Sequence, residues 1–273
     1  MARLTRLAAA FERLRAERRV GLVTFATAGD PDLARSGEIL LALDRAGADV
    51  LEVGVPFSDP MADGAVIQRA TERALAAGAN LRGVLDLIAG LRARIRAPIV
   101  VFSYANPLLR MGVEAFARRA ASAGVDGVLA VDLPIEEAGT FRATLAAEGL
   151  DVIFLLSPTT SDARIQRAAE LGSGFLYAIS RLGVTGARDR VAAGVEAMVR
   201  RIRSYTALPI AVGFGVSTPH HLTEIGAYAD AAVVGSALVS VIAEYGQSPD
   251  LVQRVEAYVE WLKAGAASEP ARQ

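Results

Sequence analysis

Short runs of apolar, often β-branched residues alternate along the chain with longer segments in which apolar residues recur every three or four positions. The short runs lack polar alternation, which is typical of parallel strands buried on both faces. The longer segments fit helices with one apolar face. The pattern predicts eight strands, at residues 21–27, 48–53, 99–102, 127–131, 152–156, 175–179, 210–212 and 231–234.

This repeated order predicts an α/β fold, a single (β/α)8 TIM barrel with an extra N-terminal helix. An open doubly wound sheet is the alternative, but no Gly-x-Gly-x-x-Gly turn follows the first strand. Without a break in composition, we expect one catalytic domain at 1–264 and a disordered tail at 265–273. Asp30 and Pro31 predict the cap and the first residue of a helix.

Charge and composition exclude several classes of protein. The 29 basic and 30 acidic side chains leave a net charge of -1 and form no basic stripe, so we expect no nucleic-acid partner. No apolar run reaches the ~18 residues of a membrane span, and the Arg-rich N-terminus does not resemble a secretory signal. We therefore expect no membrane association and a cytoplasmic enzyme.

The scarcity of some side chains restricts the chemistry further. The sequence has no Cys, which excludes thiolate catalysis and disulfides. Its single lysine, Lys263, lies in the last predicted helix, a poor place for a Schiff base. His220 and His221 are adjacent, so they are expected to face solvent from a helix rather than form a metal site. Acid–base chemistry by carboxylates remains.

Two acidic residues are candidates for this acid–base chemistry. Glu52 lies in an apolar strand, where burying a carboxylate is costly. Asp63 follows in a loop rich in Pro and Asp. Carboxylates in unlike settings have pKa values that are pushed apart, which separates acid from base. A structural alternative is that Glu52 pairs with an Arg inside the fold and that Asp63 caps the next helix.

The ends of the predicted strands carry further candidates, because a TIM barrel builds its active site there. Gly215, Gly235 and Ser236, and the glycines of loop 183–186, suit a phosphate approached by backbone N–H groups. Tight turns and core packing are the plain alternatives for such glycines and aromatic residues. A flat apolar substrate is indicated by Phe25, Phe102, Tyr104, Tyr177 and Phe214.

The residues from Leu51 to Pro60, followed by Ala62-Asp63-Gly64, resemble the signature of the tryptophan synthase alpha chain family. The resemblance covers the chain to about residue 263. It implies a (β/α)8 barrel that cleaves indole-3-glycerol phosphate to indole and D-glyceraldehyde 3-phosphate, a carbon–carbon lyase. Further similar motifs are Ile67-Gln68, Gly29-Asp30-Pro31, Tyr104-Ala105-Asn106-Pro107, Asp132-Leu133-Pro134, Ser180-Arg181, Gly183-Val184-Thr185-Gly186 and Gly213-Phe214-Gly215.

The resemblance also implies roles for individual residues. Glu52 and Asp63 match the catalytic pair, and loop 183–187 matches a lid from which Thr185 reaches Asp63. Thr24 and Leu182 depart from the family, where Pro and a small polar residue are common. The substrate-binding positions are Phe25, Tyr104, Leu129, Tyr177, Thr185 and Phe214, and the phosphate-binding positions are Gly186, Gly215, Gly235 and Ser236.

A partner is implied as well. In the family a beta chain that carries pyridoxal phosphate converts the indole and serine to tryptophan. We therefore expect an α2β2 heterotetramer, no cofactor in this chain, and contact through the loop with Pro56, Asp59 and Pro60. A sugar-phosphate isomerase and a non-catalytic activating subunit fit the motifs less well. A free-standing lyase that releases indole needs the same site, so the sequence leaves it open.

Overall fold

A computed structural model describes residues 4–179, 194–213 and 215–268. Nine parallel strands form one sheet in the order β5-β4-β3-β2-β1-β9-β8-β7-β6, which is a nearly closed barrel and confirms the TIM barrel. The strands are β1 (Gly21–Thr27), β2 (Val50–Gly54), β3 (Ile99–Ser103), β4 (Gly127–Ala130), β5 (Asp151–Val152), β6 (Phe154–Leu156), β7 (Leu176–Ile179), β8 (Ile210–Gly213) and β9 (Ala231–Val234).

The predicted fifth strand is the one that differs, because it is divided into β5 and β6 at Ile153. The Ile153 N–H still donates to the Val128 carbonyl of β4 at 3.0 Å. Its side chain lies in the apolar cluster inside the barrel. The two short strands therefore occupy one position of the barrel, and the eight predicted positions are all present.

Helices cover the outside of the sheet and follow the strands in chain order. A short 3-10 turn, Arg92–Arg94, extends the fourth helix. The helices are α1 (Arg6–Glu17), α2 (Leu33–Arg45), α3 (Ala65–Ala76), α4 (Leu81–Leu91), α5 (Ala105–Met111), α6 (Val113–Ala123), α7 (Ala138–Ala147), α8 (Asp162–Leu171), α9 (Val195–Arg203), α10 (Pro219–Gly226), α11 (Ser236–Tyr245) and α12 (Leu251–Ser268).

The extra N-terminal helix α1 closes the N-terminal end of the barrel. Its Leu7 and Leu14 are buried beneath the strands. Glycines at or just before the starts of three strands make room for them. A Cβ at Gly21 would lie 2.6 Å from Leu14, and Cβ atoms at Gly127 and Gly174 would lie 2.9 and 3.1 Å from Leu7. Small residues at the strand starts thus allow a helix to seal one end, which leaves the other end for chemistry.

Side chains alternate along β2 between the barrel interior and the helices, as the period of two requires. Val50 belongs to the cluster inside the barrel, whereas Leu51 and Val53 belong to the cluster between sheet and helices. Glu52, two residues after Val50, therefore points inward, one layer closer to the open end.

The prediction of a helix that starts at Asp30–Pro31 is wrong. Helix α2 begins at Leu33, and the Asp32 carboxylate caps it by accepting the Arg35 N–H at 2.8 Å. Asp30 is instead buried, and both of its oxygens accept hydrogen bonds of 2.7 Å from Arg73 of α3. The ion pair ties the loop after β1 to α3, so this carboxylate is not available as a cap.

The last helix, α12, continues to Ser268 and so includes residues 265–268 of the predicted tail. Residues 269–273 lie outside the described part, and for them the tail stays a prediction. Across residues 4–179, 194–213 and 215–268, no single helix has both the length and the apolar character to cross a membrane. One pair of helices bent by 89°, Ala65–Ala76 with Leu81–Arg94, satisfies length and composition together.

Candidate active site

A cavity of about 180 Å³ opens at the C-terminal end of the strands. It is largely apolar, and it contains both carboxylates that the sequence singled out, Glu52 and Asp63. Its lining comprises Phe25, Glu52, Ala62, Asp63, Ile67, Phe102, Val131, Leu155, Tyr177, Ile179, Gly215, Val216, Val233, Gly235, Ser236 and Ala237.

Glu52 is held by the centre of the sheet, where its neighbours in register are Phe25 on β1 and Val100 on β3. Its side chain is buried, and neither carboxyl oxygen has a hydrogen-bond partner among the residues that the structure describes. Burial disfavours the charged form and raises the pKa of Glu52 to about 8. Among the described residues, therefore, no Arg forms the internal pair with Glu52 that the structural alternative requires.

Asp63 enters the cavity from the loop after β2. The Tyr104 hydroxyl donates to Asp63 Oδ2 at 3.1 Å, and the same hydroxyl accepts the Ala62 N–H at 2.9 Å. Burial raises the pKa of Asp63 to about 6, although the bond from Tyr104 opposes the rise. Helix α3 has Gly64 at its N-cap, with no capping side chain, so Asp63 is not a helix cap.

Gln68 anchors this loop and was not identified as a site residue from the sequence. Its amide nitrogen donates to the carbonyl oxygens of Asp63, at 2.9 Å, and of Pro60, at 3.3 Å. The Phe57 ring lies 5.2 Å from that of Tyr104. Ile67 and Gln68 stood in a motif that matches the family, one helical turn after Asp63, and this spacing was the available signal.

Aromatic rings form the apolar wall. Phe25 and Phe102 meet edge to face at 5.3 Å, and Gly54 leaves space for the Phe25 ring because a Cβ there would lie 2.7 Å from it. Gly213 has the same role for Tyr177, since a Cβ at this glycine would overlap the tyrosine hydroxyl. Burial first, and then the charges of Glu52 and Asp63, raise the pKa of Tyr177 well above its usual range.

The structure brings several of the expected substrate residues together. Phe25 and Tyr177 line the cavity, whereas Tyr104 is not on the lining and bonds to two lining residues, Ala62 and Asp63. Leu129 lies in the apolar cluster inside the barrel and not on the cavity lining. Thr185, Gly186 and Phe214, together with Leu182 and the lid 183–187, lie outside the described residues. Thr24 is buried within β1.

The expected phosphate positions Gly215, Gly235 and Ser236 all line the cavity. Ser236 begins α11, and the first turn of a helix presents backbone N–H groups that have no partner within the helix. Of the side chains that the structure describes, no Lys, Arg or His lines the cavity. Binding of an anion here would thus depend on backbone donors and the helix dipole.

The expectation that both histidines face solvent is wrong for His221, which is 1% exposed. Its Nδ1 accepts the Ser217 N–H at 3.2 Å. Helix α10 buries Leu222 and Ile225, and His221 precedes Ile225 by four residues, so it belongs to the same buried face. Within the described residues, no group of three His, Cys, Asp or Glu side chains could hold a metal ion.

Comparison with known proteins agrees with this geometry. Residues 11–267 match the family model for the tryptophan synthase alpha chain. The chain is 49% identical to the tryptophan synthase alpha chain of Geotalea uraniireducens, over 96% of this chain and 98% of that protein. It is 43% identical to that of Solibacter usitatus, again over 96% and 98%.

Solved structures give the same result. The structure of Mycobacterium tuberculosis tryptophan synthase superimposes with a TM-score of 0.89 at 37% identity, covering 97% of this chain and 99% of that one. The α2β2 complex from Pyrococcus furiosus gives 0.84 at 39% identity, covering 89% and 98%. The chain therefore belongs to the tryptophan synthase alpha chain family, lyases that cleave indole-3-glycerol phosphate to indole and D-glyceraldehyde 3-phosphate.

Proposed function

We propose that Glu52 and Asp63 perform this cleavage as a general acid–base and an electrostatic partner. The observation that supports this most strongly is their unequal environment within one cavity. Burial raises the pKa of Glu52 to about 8 and that of Asp63 to about 6. At pH 7, therefore, Glu52 retains its proton and Asp63 is mostly charged.

In the proposed reaction Glu52 first donates a proton to the substrate and then accepts one from it. Protonated Glu52 donates to the indole ring carbon that bears the glycerol chain, and the positive charge that develops at the ring nitrogen is stabilised by Asp63, which accepts the ring N–H. The Glu52 carboxylate then removes the proton of the adjacent hydroxyl. The carbon–carbon bond breaks, its electrons return to the ring, and indole and the aldehyde result.

The remaining site residues would hold the substrate. Phe25, Phe102 and Tyr177 form an apolar wall that suits a flat indole ring. Gly215, Gly235 and Ser236, which line the same cavity, would bind the phosphate through backbone N–H groups. From the family resemblance we propose the same two roles for positions outside the described residues, with Thr185 and Phe214 at the substrate and Gly186 at the phosphate.

The two pKa values predict a bell-shaped pH profile of kcat/KM between about 6 and about 8. Activity falls below this range because Asp63 becomes neutral, and it falls above because Glu52 loses the proton it must donate. The measurement is the initial rate of indole formation from pH 5 to 9. The substrate phosphate also ionises at about pH 6, so an acid limb that persists unchanged in Asp63→Asn would contradict our assignment to Asp63.

Ser236→Asp tests the phosphate site. A carboxylate at the start of α11 suits the helix dipole and should not weaken folding, but it would repel a phosphate. We expect KM for indole-3-glycerol phosphate to rise at least about tenfold, with little change in thermal stability. The control is Ala243→Asp on the same helix, whose parent residue is exposed and lies about two turns after Ser236. Equal KM values in both variants would place the phosphate elsewhere.

A beta chain is the partner that the solved relatives indicate for this chain. The Pyrococcus furiosus structure is described as an α2β2 complex with mutual activation, and we propose that this chain likewise works with a beta chain that carries the pyridoxal phosphate. In the loop after β2, Pro56 is buried, Asp59 is exposed, and Met61 is 91% exposed. Asp59 and Pro60, with Met61 beside them, are the proposed contact.

Indole release from indole-3-glycerol phosphate, measured with and without a beta chain, tests this partnership. We expect slow release by the chain alone and a strong increase when the partner is added. Fast release that the beta chain leaves unchanged would instead indicate a free-standing lyase, a function for which the comparisons give no support.

A further inference from the structure

We propose that His221 is a positioning residue that fixes the cavity segment 215–217 for phosphate binding. The proposal rests on the phosphate site proposed above. Its basis is a buried imidazole outside the catalytic cavity, which bonds to the backbone of the segment that forms part of the cavity wall.

Ser217 is held on both sides of its backbone. Its N–H donates to His221 Nδ1 at 3.2 Å, and its carbonyl oxygen accepts the Tyr258 hydroxyl at 3.0 Å. His221 belongs to α10 and Tyr258 to α12, and these two helices contact each other. Because His221 is 1% exposed, solvent hardly competes for this bond. Side chains from two packed helices thus clamp one residue of the segment.

The clamp acts next to the proposed phosphate donors. Gly215 and Val216, the two residues before Ser217, line the cavity beside Gly235 and Ser236. Gly215 has a φ of 81°, a left-handed conformation that glycine adopts readily. The segment belongs to no helix or strand, so regular hydrogen bonding does not fix it. Together with the burial of Val216, the bonds to Ser217 therefore fix the direction of the backbone N–H groups that precede Ser217.

His221 can accept the Ser217 N–H only through an unprotonated Nδ1. Asn can place its side-chain oxygen close to the position of Nδ1, whereas Phe fills the same space without an acceptor. A phosphate bound by the segment contributes equally to the ground state and the transition state. Loss of the clamp should therefore raise KM and leave kcat nearly unchanged.

The experiment compares steady-state kinetics of the full chain with those of His221→Phe, His221→Asn and Tyr258→Phe. We expect His221→Phe to raise KM about fivefold with kcat within about twofold, Asn to restore most of the loss, and Tyr258→Phe to raise KM in the same direction. Thr223→Val is the control, because its hydroxyl bonds to the Pro219 carbonyl within α10. It should leave KM unchanged.

Binding of glycerol 3-phosphate and of indole, measured separately by calorimetry, locates the effect. The proposal requires weaker binding of the phosphate compound and unchanged binding of indole in His221→Phe. Equal loss for both ligands, or no rescue by Asn, would overturn it. If His221→Phe does not fold, Tyr258→Phe decides by the same two ligands.

Ser236→Asp separates the two proposals. If it raises KM while the His221 and Tyr258 variants do not, the phosphate site stands and the clamp is wrong. If Ser236→Asp leaves KM unchanged, the phosphate site itself is wrong, and the clamp has no ligand to position.

Discussion

Glu52→Gln should lower the rate of indole formation by about a thousandfold and at the same time stabilise the folded chain at pH 8. The loss of rate follows from the loss of the only group in the proposed mechanism that donates a proton to carbon, for which general acid–base catalysis contributes ~10²–10⁴-fold. Gln retains the shape of the side chain but has no acidic proton.

The gain in stability follows from the raised pKa of Glu52. In the folded chain this pKa is about 8, against an ordinary value of 4.5. Between these values the folded state holds a proton that the unfolded state has released, so the free energy of unfolding falls as pH rises from about 4.5 to about 8. The size of this pKa shift sets an upper limit of about 5 kcal/mol on the fall in the free energy of unfolding. Glu52→Gln removes this contribution to the pH dependence.

Urea unfolding at pH 5 and pH 8 provides the measurement. The difference in stability between these two pH values should be several kcal/mol smaller in Glu52→Gln than in the parent chain. Glu12→Gln, at an exposed position of α1, makes the same chemical change and should leave the difference unaltered. Normal activity in a folded Glu52→Gln protein would refute the catalytic assignment.

Asp63→Asn should lower kcat about a hundredfold and change KM little. The charge of Asp63 matters most when positive charge develops on the ring nitrogen, which occurs in the transition state and not in the bound substrate. Asn is a close match in shape, and its oxygen can still accept the Tyr104 hydroxyl, which lies 3.1 Å from Asp63 Oδ2. The loop should therefore keep its position.

Steady-state kinetics of Asp63→Asn and of Asp86→Asn test this point. Asp86 lies on α4 with 61% of its side chain exposed, so the same substitution there should be silent. A KM effect without a kcat effect would mean that Asp63 binds the substrate and does not act in the reaction. Tyr104→Phe should lower kcat less than Asp63→Asn does, because it removes a hydrogen bond to Asp63 and leaves the charge of Asp63 in place.

The barrel could be predicted from the sequence because buried parallel strands are continuous apolar runs, and the glutamate was visible because it interrupts one of them. Side chains alternate along a strand, so Glu52 points into the barrel as Val50 does two residues before it. Asp63 was visible as a second carboxylate in the next loop, but its catalytic role came from the family motif, because a loop sequence has no equivalent geometric rule.

Other features depend on contacts between residues that are distant in sequence, and local sequence patterns do not reveal such contacts. Asp30 has the sequence pattern of a helix cap, but in the structure its carboxylate binds Arg73 on α3. His221 is buried because α10 packs against α12, although its spacing of four from Ile225 was a usable sign. The division at Ile153 leaves the apolar run intact, so no hydrophobic pattern could have revealed it.

The seal formed by α1 has a consequence for synthesis on the ribosome. Leu7 lies against the positions of Gly127 and Gly174, and these are translated long after the helix has left the exit tunnel. At ~5–20 residues per second, the interval is roughly six to thirty seconds. During that time Leu7 on the apolar face of α1 lacks these later contacts, and it is available to chaperones or to other chains. The residues of α1 are therefore made long before they reach their final contacts.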